Sequence, residues 1–91
     1  MYKIKNFTDN ESMYAVLDSG AAVYDVIVPS DYMVGKMRAE GKLAKLDFNN
    51  IPNASYINKS LLNPSYDPQN EYSVPYTWGT VGIFYNTKYV D

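Results

Sequence analysis

A run of apolar, mostly β-branched residues that ends at a proline limits the folds open to this chain more than any other stretch. Val23-Tyr24-Asp25-Val26-Ile27-Val28 leads into Pro29 and then into Ser30-Asp31-Tyr32. Its near-continuous apolar character predicts a strand buried on both faces, as in parallel sheets. Serine and aspartate after the proline are residue types that begin helices. Strand, loop and helix N-terminus in that order is how open α/β sheets hold ligands, at the carboxyl ends of their strands. The stretch therefore predicts one wall of a binding cleft.

The neighbouring elements follow from periodicity and caps. Tyr2, Ile4 and Asn6 alternate with Lys3, Lys5 and Phe7, a short, imperfect strand pattern over Tyr2–Phe7. Met13, Val16 and Leu17 recur at helical spacing, with a capping-box pair at Thr8 and Glu11, Asn10 as an alternative cap, and Gly20 as the stop. These predict a helix over Asn10–Ser19. A second helix is predicted over Asp31–Glu40, with Met33, Val34 and Met37 inward and Gly41 ending it. The series reads as a βαβα unit with a right-handed crossover. From Lys42 to Glu71 the chain is rich in Asn, Pro, Ser and Tyr, which predicts an ordered loop with short helical turns near Ala44–Phe48 and Lys59–Leu62. Tyr72–Tyr85 is β-prone but broken by Pro75, Gly79 and Gly82, as in a strand that bends or runs along an edge. The expected class is α/β, a mainly parallel sheet flanked by helices.

The totals exclude several functions. Ninety-one residues make at most one small domain or a piece of a larger one, able to bury roughly 60–65% of its unfolded surface. With a net charge of −2 and only eight Lys and Arg, the chain lacks the basic face that nucleic acid requires. It has no cysteine and no histidine, which removes disulfides, thiolate metal sites and the usual nucleophilic dyads. No G-x-G-x-x-G or Walker A pattern is present to cradle phosphate. Asp25, Asp31 and Asp47 are dispersed and read as surface and cap residues, so the expectation is a non-enzyme with no catalytic residue, cofactor or metal. No run approaches the roughly 20 apolar residues of a membrane span. No basic segment followed by an apolar one comes after Met1, so any signal peptide is expected outside this chain.

Four residues are candidate ligand contacts. Ser30 and Asp31 read either as helix caps or as groups facing a ligand at the strand end. A helix N-terminus by itself prefers anions, so a cation here needs a nearby carboxylate, which Asp31 supplies. Tyr32 reads either as a lid or as the first core contact of the second helix, and spacing favours the core. Trp78, beside Gly79, reads as packed where two backbones approach or as cleft lining.

These residues resemble a family. Asn10-Glu11-Ser12-Met13-Tyr14-Ala15, then Tyr24-Asp25-Val26-Ile27-Val28-Pro29-Ser30-Asp31-Tyr32, then Lys36-Met37-Arg38-Ala39-Glu40-Gly41 are similar to the N-terminal lobe of spermidine/putrescine-binding proteins. Leu61-Leu62-Asn63, Tyr66-Asp67-Pro68-Gln69-Asn70-Glu71-Tyr72-Ser73-Val74-Pro75-Tyr76 and Trp78-Gly79 continue the resemblance in the same order. It covers nearly all of the chain, and the ordered set of motifs is specific. The resemblance implies a type II periplasmic-binding-protein-like fold, in which two lobes close on a polyamine that is then passed to the permease of an ABC transporter. It implies that Ser30 and Tyr32 hold the ligand, and that Trp78 and Gly79 lie on the strand leaving the first lobe. Between Ser30 and Tyr32, close relatives commonly carry threonine; Asp31 sets this chain apart. The family's first strand with its Asn-Trp loop would precede Met1, and its second lobe would follow Asp91. The resemblance thus implies that residues 1–91 are a partial N-terminal lobe, without high affinity by itself.

Three further expectations follow. The parent protein would be extracellular or periplasmic and membrane-associated. A sheet lacking its first strand would either pair Tyr2–Phe7 directly with Val23–Val28 or leave an open edge, favouring self-association, with Tyr72–Tyr85 a candidate for exchange between copies. The alternative reading is a small independent α/β interaction module that self-associates through that edge and binds no small molecule.

Overall fold

A computed structural model describes residues 1–90. Its regular elements are helix α1, Asn10–Asp18, helix α2, Asp31–Ala39, and three 3-10 turns at Phe48–Asn50, Pro52–Tyr56 and Lys59–Leu61. Both helices fall within a residue of the ranges read from periodicity.

Their ends are set by local chemistry. Asp9, rather than Thr8 or Asn10, caps α1: its carboxylate accepts from the Ser12 backbone N–H at 2.7 Å. The helix stops at Ser19, and Gly20 takes the left-handed conformation at φ 72°. At the end of α2 the Gly41 N–H donates to the Arg38 carbonyl at 3.1 Å and the Lys42 N–H to the Met37 carbonyl at 2.9 Å. That pair of bonds is a Schellman closure, and Gly41 at φ 69° is the residue that permits it.

The helices pack through methionine. Met13 of α1 meets Met33 and Met37 of α2, with Phe7, Tyr14, Leu17, Ile27 and Leu43 against the cluster. Val34 is buried as well, so the inward face read for α2 is the observed one, whereas Val16 and Leu17 of α1 are only half-buried. Unbranched Met side chains fill an irregular gap between two short helices more easily than branched ones. Around the cluster, the Tyr14 hydroxyl donates to Glu40 at 2.7 Å, Lys42 pairs with Asp18 at 2.6 Å, and the Lys36 ammonium pairs with Glu40 while lying 4.3 Å above the Tyr14 ring.

The expected parallel sheet is not formed. Among the described residues no segment makes a β-ladder, and the α/β class is corrected to two packed helices, a turn-rich loop and extended arms. Residues 1–7, 21–29 and 74–85 carry no helix or ladder. Val23 is 91% exposed and Val28 69%, so the run read as buried on both faces holds only Ile27 against the core. Contact between the first two arms is one edge-to-face stack of Phe7 on Tyr24, centroids 5.9 Å apart, rather than strand pairing. The reason is physical: an apolar β-branched run records fitness for a pleated surface, while a ladder needs a second backbone in register beside it. No helix among the described residues is long and apolar enough to cross a membrane.

Of the short turns read in the Lys42–Glu71 loop, that near Lys59–Leu62 falls on Lys59–Leu61, whereas Ala44–Phe48 carries no turn before Phe48 and the helical turns there run over Phe48–Asn50 and Pro52–Tyr56 instead. The ends of the loop are tied where the Leu46 N–H donates to the Glu71 carbonyl at 2.7 Å. Asp47 and Asn58 cap the first and third 3-10 turns through the N–H groups of Asn49 and Ser60. Asp67, 1% exposed, is the hub beyond them. Its carboxylate accepts from the backbone N–H of Glu71 (3.2 Å), Tyr72 (3.0 Å) and Ser73 (2.9 Å) and from the Ser73 hydroxyl (2.8 Å). Buried Asn70, itself in the left-handed region at φ 49°, accepts from the Asn63 N–H and donates to the Ser73 carbonyl. The segment entering 74–85 is thereby held by side chains of the loop.

Candidate ligand-binding site

The starts of α1 and α2 come together, and the connection is made by side chains. Ser30 occupies the cap position of α2 with extended backbone, yet its hydroxyl makes no cap bond. It is held from the other helix instead. The Ser30 backbone N–H donates to Asn10 Oδ1 at 2.8 Å, and Asn10 Nδ2 donates to Ser30 Oγ at 3.0 Å. A backbone N–H can only donate, so the carboxamide oxygen must face it, which fixes the orientation of the whole amide. Asn10 is free for this because Asp9 has taken the cap.

Asp31 and Tyr32 follow on the first turn of α2. The Asp31 carboxylate accepts from the Tyr32 N–H at 2.7 Å. Tyr32 is 53% exposed, so it is not the core residue its spacing suggests. Its hydroxyl donates to Glu11 Oε1 at 2.7 Å. That bond, with a smaller contribution from burial, raises the Tyr32 phenol above its ordinary value. The Ser12 hydroxyl and then its backbone N–H hold the Asp9 carboxyl below the ordinary value.

Beside these helix starts runs an open groove of about 1120 Å³ between the 25–31 stretch and the 72–81 stretch. Ser30, Asp31 and Trp78 all line it, together with Asp25 and the aromatic rings of Tyr66, Tyr72 and Tyr76. Tyr32 does not line it; its hydroxyl is turned to Glu11 on the flank. Trp78 is 72% exposed and lies on an extended arm, which excludes the packed reading of its ring. The structure thus brings together three of the four residues singled out from the sequence, with the fourth beside them. It adds Asn10 and Glu11, which read from sequence only as helix-start residues, although both stand within the first motif of the family resemblance.

The chemistry of this face suits a cation. Two helix N-termini alone would favour an anion, but Asp9, Glu11 and Asp31 stand in or beside their first turns and offset that field. The aromatic rings of the groove offer faces to ammonium groups. Among the described residues no group of side chains is arranged to hold a metal ion.

The chain is similar to known proteins along most of its length. Residues 6–91 match the family model of the bacterial extracellular solute-binding proteins. The spermidine/putrescine-binding periplasmic protein of Escherichia coli is 43% identical over 86 residues, 93% of this chain and 25% of that protein. The putrescine-binding periplasmic protein SpuD of Pseudomonas aeruginosa is 42% identical over 82 residues, 88% of this chain and 22% of that protein. A solved structure from Listeria monocytogenes, described as a spermidine/putrescine ABC transporter, superposes with a TM-score of 0.78 at 39% identity, covering 82% of this chain and 23% of the other. The chain therefore spans about a quarter of the length of the relatives it matches. These relatives are solute-binding proteins rather than enzymes, the resemblance read from the sequence holds along most of the chain, and nothing supports an independent interaction module. On the match of nearly its whole length, the chain belongs to the family of bacterial extracellular solute-binding proteins.

Proposed function

We propose that residues 1–91 are part of the N-terminal lobe of a receptor that captures spermidine or putrescine outside the cytoplasmic membrane and delivers it to an ABC transporter permease. The receptor is extracellular or periplasmic and held at the membrane. Ser30, Asp31 and Trp78 are ligand contacts on the groove, and Tyr32 contributes its phenolic oxygen from the flank. The observation that carries this reading is the convergence of Ser30, Asp31 and Trp78 on one aromatic groove beside helix starts that bear carboxylates. Relatives at 42–43% identity named for polyamine binding support the ligand class.

This chain alone confines a ligand on one side only, so its affinity for a polycation is weak. Nuclear magnetic resonance titration of the 91-residue chain with spermidine tests the reading. The amides of Ser30, Asp31 and Tyr32 and the indole N–H of Trp78 should shift together along one millimolar binding curve. Shifts spread evenly over the surface carboxylates, or none at these four residues, would remove the assignment.

A separate observation favours self-association of this chain. Val81, Ile83 and Phe84 are each more than 90% exposed on one continuous extended segment. Apolar segments left open in this way are surfaces on which a second copy pairs.

A further inference from the structure

The first turn of α1 reaches across to two of the residues that the polyamine reading makes ligand contacts, Ser30 and Tyr32. Asn10 grips Ser30 at both its backbone N–H and its hydroxyl, and Glu11 accepts the Tyr32 hydroxyl proton. Neither residue caps α1, which Asp9 does, and neither contributes to the methionine core. Their bonds instead fix what Ser30 and Tyr32 have left to offer. A carboxylate only accepts, so in the Glu11 bond the proton is supplied by the phenol. A phenol has one such proton. Once it is committed to Glu11, the Tyr32 oxygen presents only lone pairs elsewhere. At Ser30 the Oγ accepts from Asn10 and keeps its own O–H and one further lone pair.

We infer that Asn10 and Glu11 are positioning residues for ligand specificity: Glu11, by accepting the Tyr32 O–H hydrogen bond, leaves that oxygen only lone pairs to offer a ligand, and Asn10 fixes the Ser30 Oγ to which it donates, so that a donor-only cationic amine is selected over anions at Tyr32. The inference rests on the reading of Ser30 and Tyr32 as ligand contacts. An alkylammonium group carries donors and no acceptor, which is the complement of the Tyr32 oxygen so held. An anion would meet lone pairs, with the Glu11 charge behind them. The raised phenol of Tyr32 is in accord, since the Glu11 bond holds the proton in place. Glu11 is exposed, so its truncation leaves both the Asp9 cap and the core intact.

A staple between two helices would look the same in a static structure; it would lower the urea midpoint along with binding, whereas the positioning role changes binding at a nearly unchanged midpoint, and a double-mutant cycle read on both quantities tells the two apart. The 91-residue chain is titrated with spermidine as wild type, Glu11→Ala, Tyr32→Phe and the double variant, following the Ser30 amide. Glu11→Ala should weaken binding about fivefold when Tyr32 is present, the size of one ordinary net hydrogen bond at an exposed position. In the Tyr32→Phe background it should change binding less than twofold. Equal weakening in both backgrounds would overturn the inference, because Glu11 would then act without Tyr32. If Glu11→Ala fails to fold, the cycle is run with Glu11→Met, whose side chain keeps the length but offers no oxygen to accept the Tyr32 O–H, and the same non-additivity is expected. A ligand-free titration of the Tyr32 ring separates the two claims. A phenol that titrates above free tyrosine in the wild type and falls back in Glu11→Ala, with no response to spermidine, would sink the polyamine reading alone. A wild-type Tyr32 that titrates like free tyrosine would sink the positioning role.

Discussion

Asp67 shows how much of this chain's order depends on single polar residues. Almost fully buried, it satisfies three consecutive backbone N–H groups and a hydroxyl, and so fixes the path of the chain into 74–85. Asp67→Ala leaves those donors without partners in a place water reaches poorly. These donors are part-buried, so at about 1 kcal/mol for each of the four left unpaired the loss should be on the order of 4 kcal/mol, read as a lower urea midpoint. A change under 0.5 kcal/mol would show that water replaces the carboxylate. Titration at the helix starts gives a second residue-scale expectation. Asp9 and Asp18 lie below their ordinary carboxyl value, through Ser12 and Lys42 respectively. Their contribution to stability is present above the ordinary value of 3.8 and is lost as pH falls through the lower folded-state values. Tyr32 is raised, so its contribution is present below 10.0 and is lost as pH rises through its folded-state value. Chemical denaturation against pH should therefore give a plateau that falls at both ends, with the alkaline fall smaller in Tyr32→Phe. An unchanged alkaline limb in that variant would place the raised phenol elsewhere.

At the scale of elements, the helices were legible because their signals are local. Met33, Val34 and Met37 recur at the helical period, and Gly20 and Gly41 stand where left-handed residues end helices. Two glycines, one inside α2 and one just past its end, make opposite predictions. Gly41→Ala puts a Cβ on a left-handed residue and should cost about 1 kcal/mol. Gly35→Ala sits inside the helix, where the new Cβ meets Tyr66 Cβ at an ordinary 3.5 Å. It should stabilise by about 0.5–1 kcal/mol through helix propensity. Thermal melts followed by circular dichroism would show the two midpoints moving apart; movement in the same direction would contradict the assigned helix boundary. The α1 cap was misread because Thr8, Asp9 and Asn10 are all capping types, and only geometry picks Asp9 and releases Asn10 to hold Ser30. Asp67 was invisible for a related reason, since an aspartate before proline reads as a surface turn. The strands failed most plainly. Residues 23–28 have strand composition, but pairing depends on a distant partner that a local pattern does not encode. Of the candidate groove, Ser30, Asp31 and Trp78 were singled out through motif and family resemblance and do line one surface, whereas the Asn10 and Glu11 bonds, spanning 20 and 21 residues of sequence, were not legible.

The whole molecule is drawn out rather than compact. Its radius of gyration is 16.8 Å, with extents of 53 × 34 × 30 Å, where a compact chain of this length would have about 12 Å. The excess comes from the extended arms, which keep Ile4, Val26, Ile83 and Phe84 in water. Burial of such side chains is worth about 1.5–3 kcal/mol each, which gives the arms a strong tendency to be covered. Multi-angle light scattering of the isolated chain should show mass rising with concentration above the monomer's 10.3 kDa. A clean monomer at high concentration would contradict self-association. The central claim is that this chain carries one wall of a polyamine site, and it is tested most directly where the rest of a receptor is supplied. In the spermidine/putrescine-binding periplasmic protein of Escherichia coli, the 86 matched residues would be exchanged for those of this chain, and spermidine binding measured by isothermal titration calorimetry. Saturable binding of spermidine, lost on Tyr32→Ala, is the expected result; a folded chimera that gives no heat with spermidine or putrescine would contradict it.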